Sequence, residues 1–205
     1  MNVLLLNGSP HKDGSCYTAL QEMIPIFQNN NIDWELIDIG SQPIVGCKAC
    51  YVCAKLGKCV IDDSVNEVAK KFETANALVV ASPVYYASAN ATLTAFLDRL
   101  FYSSHFDKQM KVGAAIVSAR RGGLSATFDQ LNKYFTICGM PIASSQYWNS
   151  VHGNNAKETR EDEEGLQCMR TLAKNICFLI KSIELGKKEF GLPKKEQIIR
   201  TNFVR

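Results

Sequence analysis

Four thiols fall within thirteen residues, in the order Cys47-x2-Cys50-x2-Cys53-x5-Cys59. Short loops between thiolates can wrap one compact object, so this spacing fits a [4Fe-4S] cluster, which takes four cysteine ligands. A structural zinc ion is the main rival, although zinc ordinarily uses two Cys pairs parted by a longer loop. Free or redox-active thiols are the third reading. The other cysteines lack such spacing; Cys138, Cys168 and Cys177 read as small apolar packing groups.

A second constellation follows the opening apolar run. Gly8-Ser9-Pro10-His11-Lys12-Asp13-Gly14-Ser15-Cys16-Tyr17-Thr18 brings hydroxyls and free amides straight into a helical pattern. Backbone N–H groups and the positive end of a helix suit a phosphate there. The loop has no Gly-Lys-Ser/Thr and no three-glycine fingerprint, so a terminal monophosphate fits better than a triphosphate or a dinucleotide. The bland alternative is an N-cap turn built from Ser and Asp. Cys16 would offer its backbone amide. Further on, Ser82-Pro83-Val84-Tyr85-Tyr86-Ala87-Ser88-Ala89-Asn90 sets two adjacent aromatics beside hydroxyl and amide donors, a flat wall for a ring or simply core. Ser118-Ala119-Arg120-Arg121-Gly122-Gly123 offers two guanidiniums on flexible backbone, for an anion or as a solvated turn.

These loops need a scaffold, and the hydrophobic pattern supplies one. Continuous apolar runs at Val3–Leu6, Ala77–Ala81 and Val112–Val117 read as strands buried on both faces, with further strands at 34–39 and at Pro141–Tyr147. Between them lie helical stripes: Leu20, Met23, Ile24 and Phe27; Val65, Val68 and Phe72; Leu93, Phe96, Leu97 and Leu100. Two more helices are expected over Leu124–Phe135 and Leu166–Ile183, and Pro25 is expected to kink the first. Such alternation implies an α/β three-layer sandwich with a five-stranded parallel sheet. In open sheets of this kind ligands sit beyond the carboxyl ends of the strands, where all three loops fall.

The bulk numbers exclude several classes. A hydrophobic share of 46% and a charged share of 21% are those of a soluble globular chain. The net charge of +3 comes mostly from residues 187–205, where six Lys/Arg, Arg205 among them, face two Glu. That tail reads as a solvated arm, a subunit arm or an anion contact, separate from a domain over 1–186 that carries the cysteine-rich loop 46–60. No basic recognition stripe speaks for nucleic acid, and no run approaches the ~20 apolar residues of a membrane span. A cytoplasmic location with reduced thiols is expected. No Ser/His/Asp or Cys/His set stands out, so side-chain nucleophilic chemistry is not expected; His152 is a candidate pocket contact only.

Leu6-Asn7-Gly8-Ser9-Pro10, the Cys47–Cys59 block, Ser82-Pro83-Val84-Tyr85-Tyr86 and Ser118-Ala119-Arg120-Arg121, in that order, resemble the NADPH-dependent FMN reductase and iron–sulfur flavoprotein group of the flavodoxin superfamily. Tyr147-Trp148-Asn149-Ser150-Val151-His152-Gly153 is similar to one branch of it. The resemblance implies a flavodoxin-like fold and FMN held by Ser9, His11, Lys12, Ser15, Cys16 and Tyr17 through its phosphate. The ring would lie against Pro83, Val84, Tyr85, Tyr86 and Ser88 on one side and Ser118, Arg120, Arg121 and Gly122 on the other. His11 stands where many relatives carry Arg, which leaves Lys12 as the expected counter-charge. It further implies NAD(P)H as electron donor, a small-molecule or protein electron acceptor, and a homodimer or homotetramer that completes the pocket. An electron carrier relaying between redox partners through FMN and a [4Fe-4S] cluster is the alternative.

Overall fold

The computed structural model describes residues 1–203; Arg205, counted above in the basic tail, lies outside them. The chain opens with β1 (Asn2–Asn7), α1 (Ser15–Asn29) and β2 (Asp33–Asp38), then the one-turn helix α2 (Cys53–Leu56) and α3 (Ser64–Thr74). β3 (Ala77–Tyr85), the two-residue β4 (Ser88–Ala89), α4 (Ala91–Ser103), β5 (Val112–Ala119) and α5 (Leu124–Thr136) follow. β6 (Ser150–His152), α6 (Ala156–Glu161) and α7 (Glu163–Phe190) complete the set. α1 runs through Pro25, which lies on its exposed face.

Five strands pair in parallel in the order β2-β1-β3-β5-β6. Strand residues alternate between two apolar layers. Val3, Leu5, Val79, Ala81, Ala114 and Ile116 meet α1 and α7 on one face. Leu4, Leu6, Leu78, Val80, Ala115 and Val117 meet α3, α4 and α5 on the other. This is the expected three-layer α/β sandwich. The strand order reverses between β1 and β3, which opens a crevice at their carboxyl ends.

Two boundaries differ from the sequence reading, each for a physical reason. The fifth strand is not Pro141–Tyr147. There the chain makes a single bridge around Ile142, Pro141 O accepting from Gly113 N (2.9 Å) and Ala143 N donating to Gly113 O (2.8 Å). It leaves after Ala143 and returns at Asn149, whose O accepts from Val117 N (3.0 Å), ahead of β6. The buried Asn149 side chain spans that excursion, its Nδ2 donating to Ala115 O (3.1 Å) and Ala143 O (3.4 Å) in place of ladder bonds. β3, for its part, does not stop at Ser82-Pro83. It parts from β1 at Ala81, follows β5 to Pro83 and folds back on β4, pairing Tyr85 with Ser88. Tyr86 and Ala87 form the two-residue tip with φ of 50° and 58°, as a type I′ hairpin turn demands. After α7 an extended arm from Gly191 lies along the 107–109 turn, where Gln109 donates to Pro193 O (3.3 Å) and Lys195 pairs with Asp107 (2.6 Å).

Candidate functional site

Asn7 ends β1 and anchors the loop behind it. Its side chain donates to Asp38 Oδ1 (2.8 Å) and accepts from Ser9 N (3.1 Å). Gly8 donates to Ala81 O (2.8 Å), and Asn90 Nδ2 donates to Gly8 O (2.8 Å), so β1, β3 and the start of α4 fix the turn together. Gly40 packs directly on it: a Cβ at 40 would overlap the carbonyls of Gly8 and Ser9. The loop is therefore rigid before any ligand arrives.

The helices differ in how they begin. Asp63, Asn90, Asn155 and Asp162 cap α3, α4, α6 and α7 with side-chain acceptors. α1, α2 and α5 begin without a side-chain cap, at Gly14, Val52 and Gly123. These are the helices that leave the hydroxyl-rich, cysteine-rich and arginine loops. Among the described residues, the amides of Ser15, Cys16 and Tyr17 meet no protein acceptor, and the first turn of α1 holds no acid. Uncapped N–H groups at the positive end of a fifteen-residue helix form a ready anion site.

Above them lies a cleft of ≈ 550 Å³. Ser9, His11, Asp13, Gly14 and Ser15 form one wall, Pro83, Val84 and Tyr85 another, and Ser118, Ala119 and Arg120 a third. Gly153, Asn154, Asn155, Ala156 and Lys157 close the fourth. Of the sequence candidates, the cleft thus brings together Ser9, His11, Ser15, Pro83, Val84, Tyr85, Ser118 and Arg120. It does not draw in Lys12, Tyr17, Arg121 or Gly122 as lining. Cys16 is buried beneath it, its Sγ 3.2 Å from Ser118 Oγ, tying the first loop to the third. Burial pushes that thiol up to about 12, against a lowering by Ser118, so it is a packing thiol. The two tyrosines part company: burial, then nearness to Cys16, raises the Tyr85 phenol in the cleft, whereas Tyr86 projects fully exposed from the hairpin tip. Ser88 instead meets Gln130 Oε1 (2.9 Å).

The fourth wall was missed in the sequence. Glu158 accepts from the backbone and side chain of Asn154 (2.8 Å each) and from Asn155 Nδ2 (3.1 Å), which orders the turn and holds its carboxyl below the usual range. His152, on β6, falls outside the cleft and stands 3.6 Å from Asp162. The available signal was topological, because this loop leaves the same sheet edge as the other three. Lys157 and Arg120, rather than Lys12, are the cations that line the cleft.

The cysteine loop forms a second, separate pocket of ≈ 140 Å³, lined by Cys47, Cys50, Cys53 and Cys59 with Ile61, Arg99 and Tyr102. Ala49 and Tyr51, on either side of Cys50, have φ of 49° and 58°. Left-handed backbone at two non-glycine residues marks a tightly turned loop around Cys50. Among the described residues, no three Cys, His, Asp or Glu side chains close on a point for one ion. The four thiols line one pocket, and their number and softness fit an iron–sulfur body.

Residues 1–155 match the family model described as NADPH-dependent FMN reductase. The chain belongs to that family. An iron–sulfur flavoprotein of Methanocaldococcus jannaschii is 28% identical over 192 residues, spanning 90% of this chain and all of the relative. The same fold recurs in distant structures. RosB, solved with 8-demethyl-8-formylriboflavin-5′-phosphate bound, superposes with a TM-score of 0.74 at 13% identity, covering 100% of this chain and 92% of RosB. An archaeal flavodoxin gives 0.61 at 15% identity, covering 88% and 99%. The two structures show a flavodoxin-like fold, and the family match makes the chain an oxidoreductase of the FMN reductase family. No helix among the described residues is long and apolar enough to cross a membrane.

Proposed function

We propose that this FMN-dependent oxidoreductase takes electrons from NAD(P)H and passes them to a small-molecule or protein acceptor through a [4Fe-4S] cluster on Cys47, Cys50, Cys53 and Cys59. The observation that carries the reading is the uncapped start of α1 beneath an open cleft, with the amides of Ser15, Cys16 and Tyr17 unspent. Those amides and the hydroxyls of Ser9 and Ser15 take the FMN phosphate; Pro83–Tyr85 and Ser118–Arg120 bound its ring. FMN supplies acceptance of an electron pair and its release one at a time. Arg120 places positive charge in the cleft, where it favours a flavin that has gained electrons. Tyr85, held neutral by burial, remains a hydrogen-bond donor. No side chain is asked to act as nucleophile or general acid.

The cluster reading draws support from the four-thiol pocket and from similarity to iron–sulfur flavoproteins of Methanocaldococcus jannaschii and Methanosarcina thermophila. We place the protein in the cytoplasm as a homodimer or homotetramer, with the fully exposed Tyr86 hairpin beside the cleft as a surface for the second copy. An anaerobic preparation examined by absorbance, iron and labile-sulfide assay, then mixed with NADPH and with NADH, tests the whole. Flavin, about four irons per chain and steady turnover are expected. Flavin and iron without turnover on either nucleotide would replace the enzyme by an electron carrier.

A further inference from the structure

Arg99 lies mid-way along α4 and is 1% exposed, yet it is no part of the flavin cleft. A guanidinium has five N–H donors and no acceptor. Here all five are used. Nε donates to Cys59 Sγ (3.3 Å); Nη1 to Val45 O (3.2 Å) and Asp63 Oδ2 (2.6 Å); Nη2 to Ile61 O (3.1 Å) and Asp63 Oδ1 (2.9 Å). Val45 precedes the first cysteine and the other partners include or follow the last, so one side chain grips both ends of the loop. Cys59 is held a second time through its backbone, where it donates to Asn66 Oδ1 and accepts from Asn66 Nδ2 (3.0 Å each). Burial disfavours the guanidinium charge, but the hydrogen bonds and charges of Asp63 and Cys59 outweigh it.

We propose that Arg99 is a positioning residue for the four-cysteine site: it preorganises the loop and, through its bond to Cys59 Sγ, sets the reduction potential of the group held there. This rests on the cluster reading above. A cluster gains negative charge on reduction, and an N–H donor on a ligand sulfur beside a buried cation stabilises the gained electron. Arg99 therefore raises the potential. α4 also links the two sites, because its N-cap Asn90 holds Gly8 O and Arg99 lies about 13 Å further along the helix.

Arg99→Lys keeps a point charge and loses the five-donor fork; Arg99→Met loses both. Both full-length variants are compared with wild type after anaerobic reconstitution with ferrous iron and sulfide. FMN content serves as the check on folding and should match wild type, because Arg99 lies outside the cleft. The expected order of cluster midpoint potentials in EPR-monitored titration is wild type above Arg99→Lys above Arg99→Met. In the iron-free proteins, trypsin should cut at Lys48, Lys55 and Lys58 at least tenfold faster in Arg99→Met than in wild type. Tryptic rates and potentials unmoved in both variants, with iron bound throughout, would overturn the role of Arg99. Wild type that takes up no iron or sulfide, with the tryptic difference intact, would instead overturn the cluster reading and leave the clamp standing.

Discussion

Replacing Ser15 by Asp places a carboxylate at the first residue of α1, against the amides to which the FMN phosphate is assigned. Two effects of opposite sign follow. A negative charge at a helix start stabilises the empty protein by about 0.3–1 kcal/mol through the helix dipole. Against a bound phosphate monoester, which carries about 1.5 to 2 charges, it is repulsive. At about 5 Å and an effective dielectric of about 20, each pair of unit charges costs about 3 kcal/mol. Ser15 is only half-buried, so the carboxylate can turn toward water, and we halve the resulting figure to about 3 kcal/mol. That is about a hundredfold loss of FMN affinity. The assay is quenching of FMN fluorescence by the apoprotein, with thermal melts of the apoprotein alongside. The expected pattern is weaker flavin binding by a protein that melts no lower than wild type, with Ser15→Asn, which loses the hydroxyl but adds no charge, weakening FMN binding by about tenfold at most. A Ser15→Asp variant that binds FMN as wild type does would refute the phosphate assignment, because a carboxylate and a phosphate cannot share those amides without cost.

Two further expectations draw on the same loops. Gly40→Ala inserts a Cβ into the carbonyls of Gly8 and Ser9, so the turn must shift by the order of 1 Å, and about a hundredfold weaker FMN binding is expected in the same titration. Cys16, whose thiol burial raises from 9.0 to about 12, favours the folded state only while protonated. Its contribution is present below pH 9 and fades as pH rises toward 12, to a total of about 4 kcal/mol. Urea melts at pH 7 and pH 10.5 should therefore show a smaller alkaline loss of stability in Cys16→Ala than in wild type; parallel losses would show that Cys16 does not govern it.

Much of this fold was legible because strands covered on both faces carry unbroken apolar runs, and Val3–Leu6, Ala77–Ala81 and Val112–Val117 are each buried throughout. The three loops were legible for a related reason, since hydroxyl, aromatic and guanidinium residues following such runs fall at one sheet edge. What periodicity does not encode is a side chain that substitutes for backbone. Asn149 stands in for a stretch of ladder, so β6 begins at Ser150, where the pattern gave 141–147. A tight hairpin likewise turns Tyr86 away from Tyr85, although adjacency in sequence made them one wall. Arg99 is the sharpest omission. It sits beside Phe96, Leu97 and Leu100 like a solvated charge, and only the partners from residues 45 to 63 make it interior.

The most direct measurement is the affinity of the apoprotein for FMN beside that of riboflavin, which has the same ring and no phosphate. If the amides of Ser15, Cys16 and Tyr17 hold an anion, each charge-assisted bond contributes about 1.5–3 kcal/mol, and FMN should bind at least about a hundredfold more tightly. Equal dissociation constants for the two would contradict that grip.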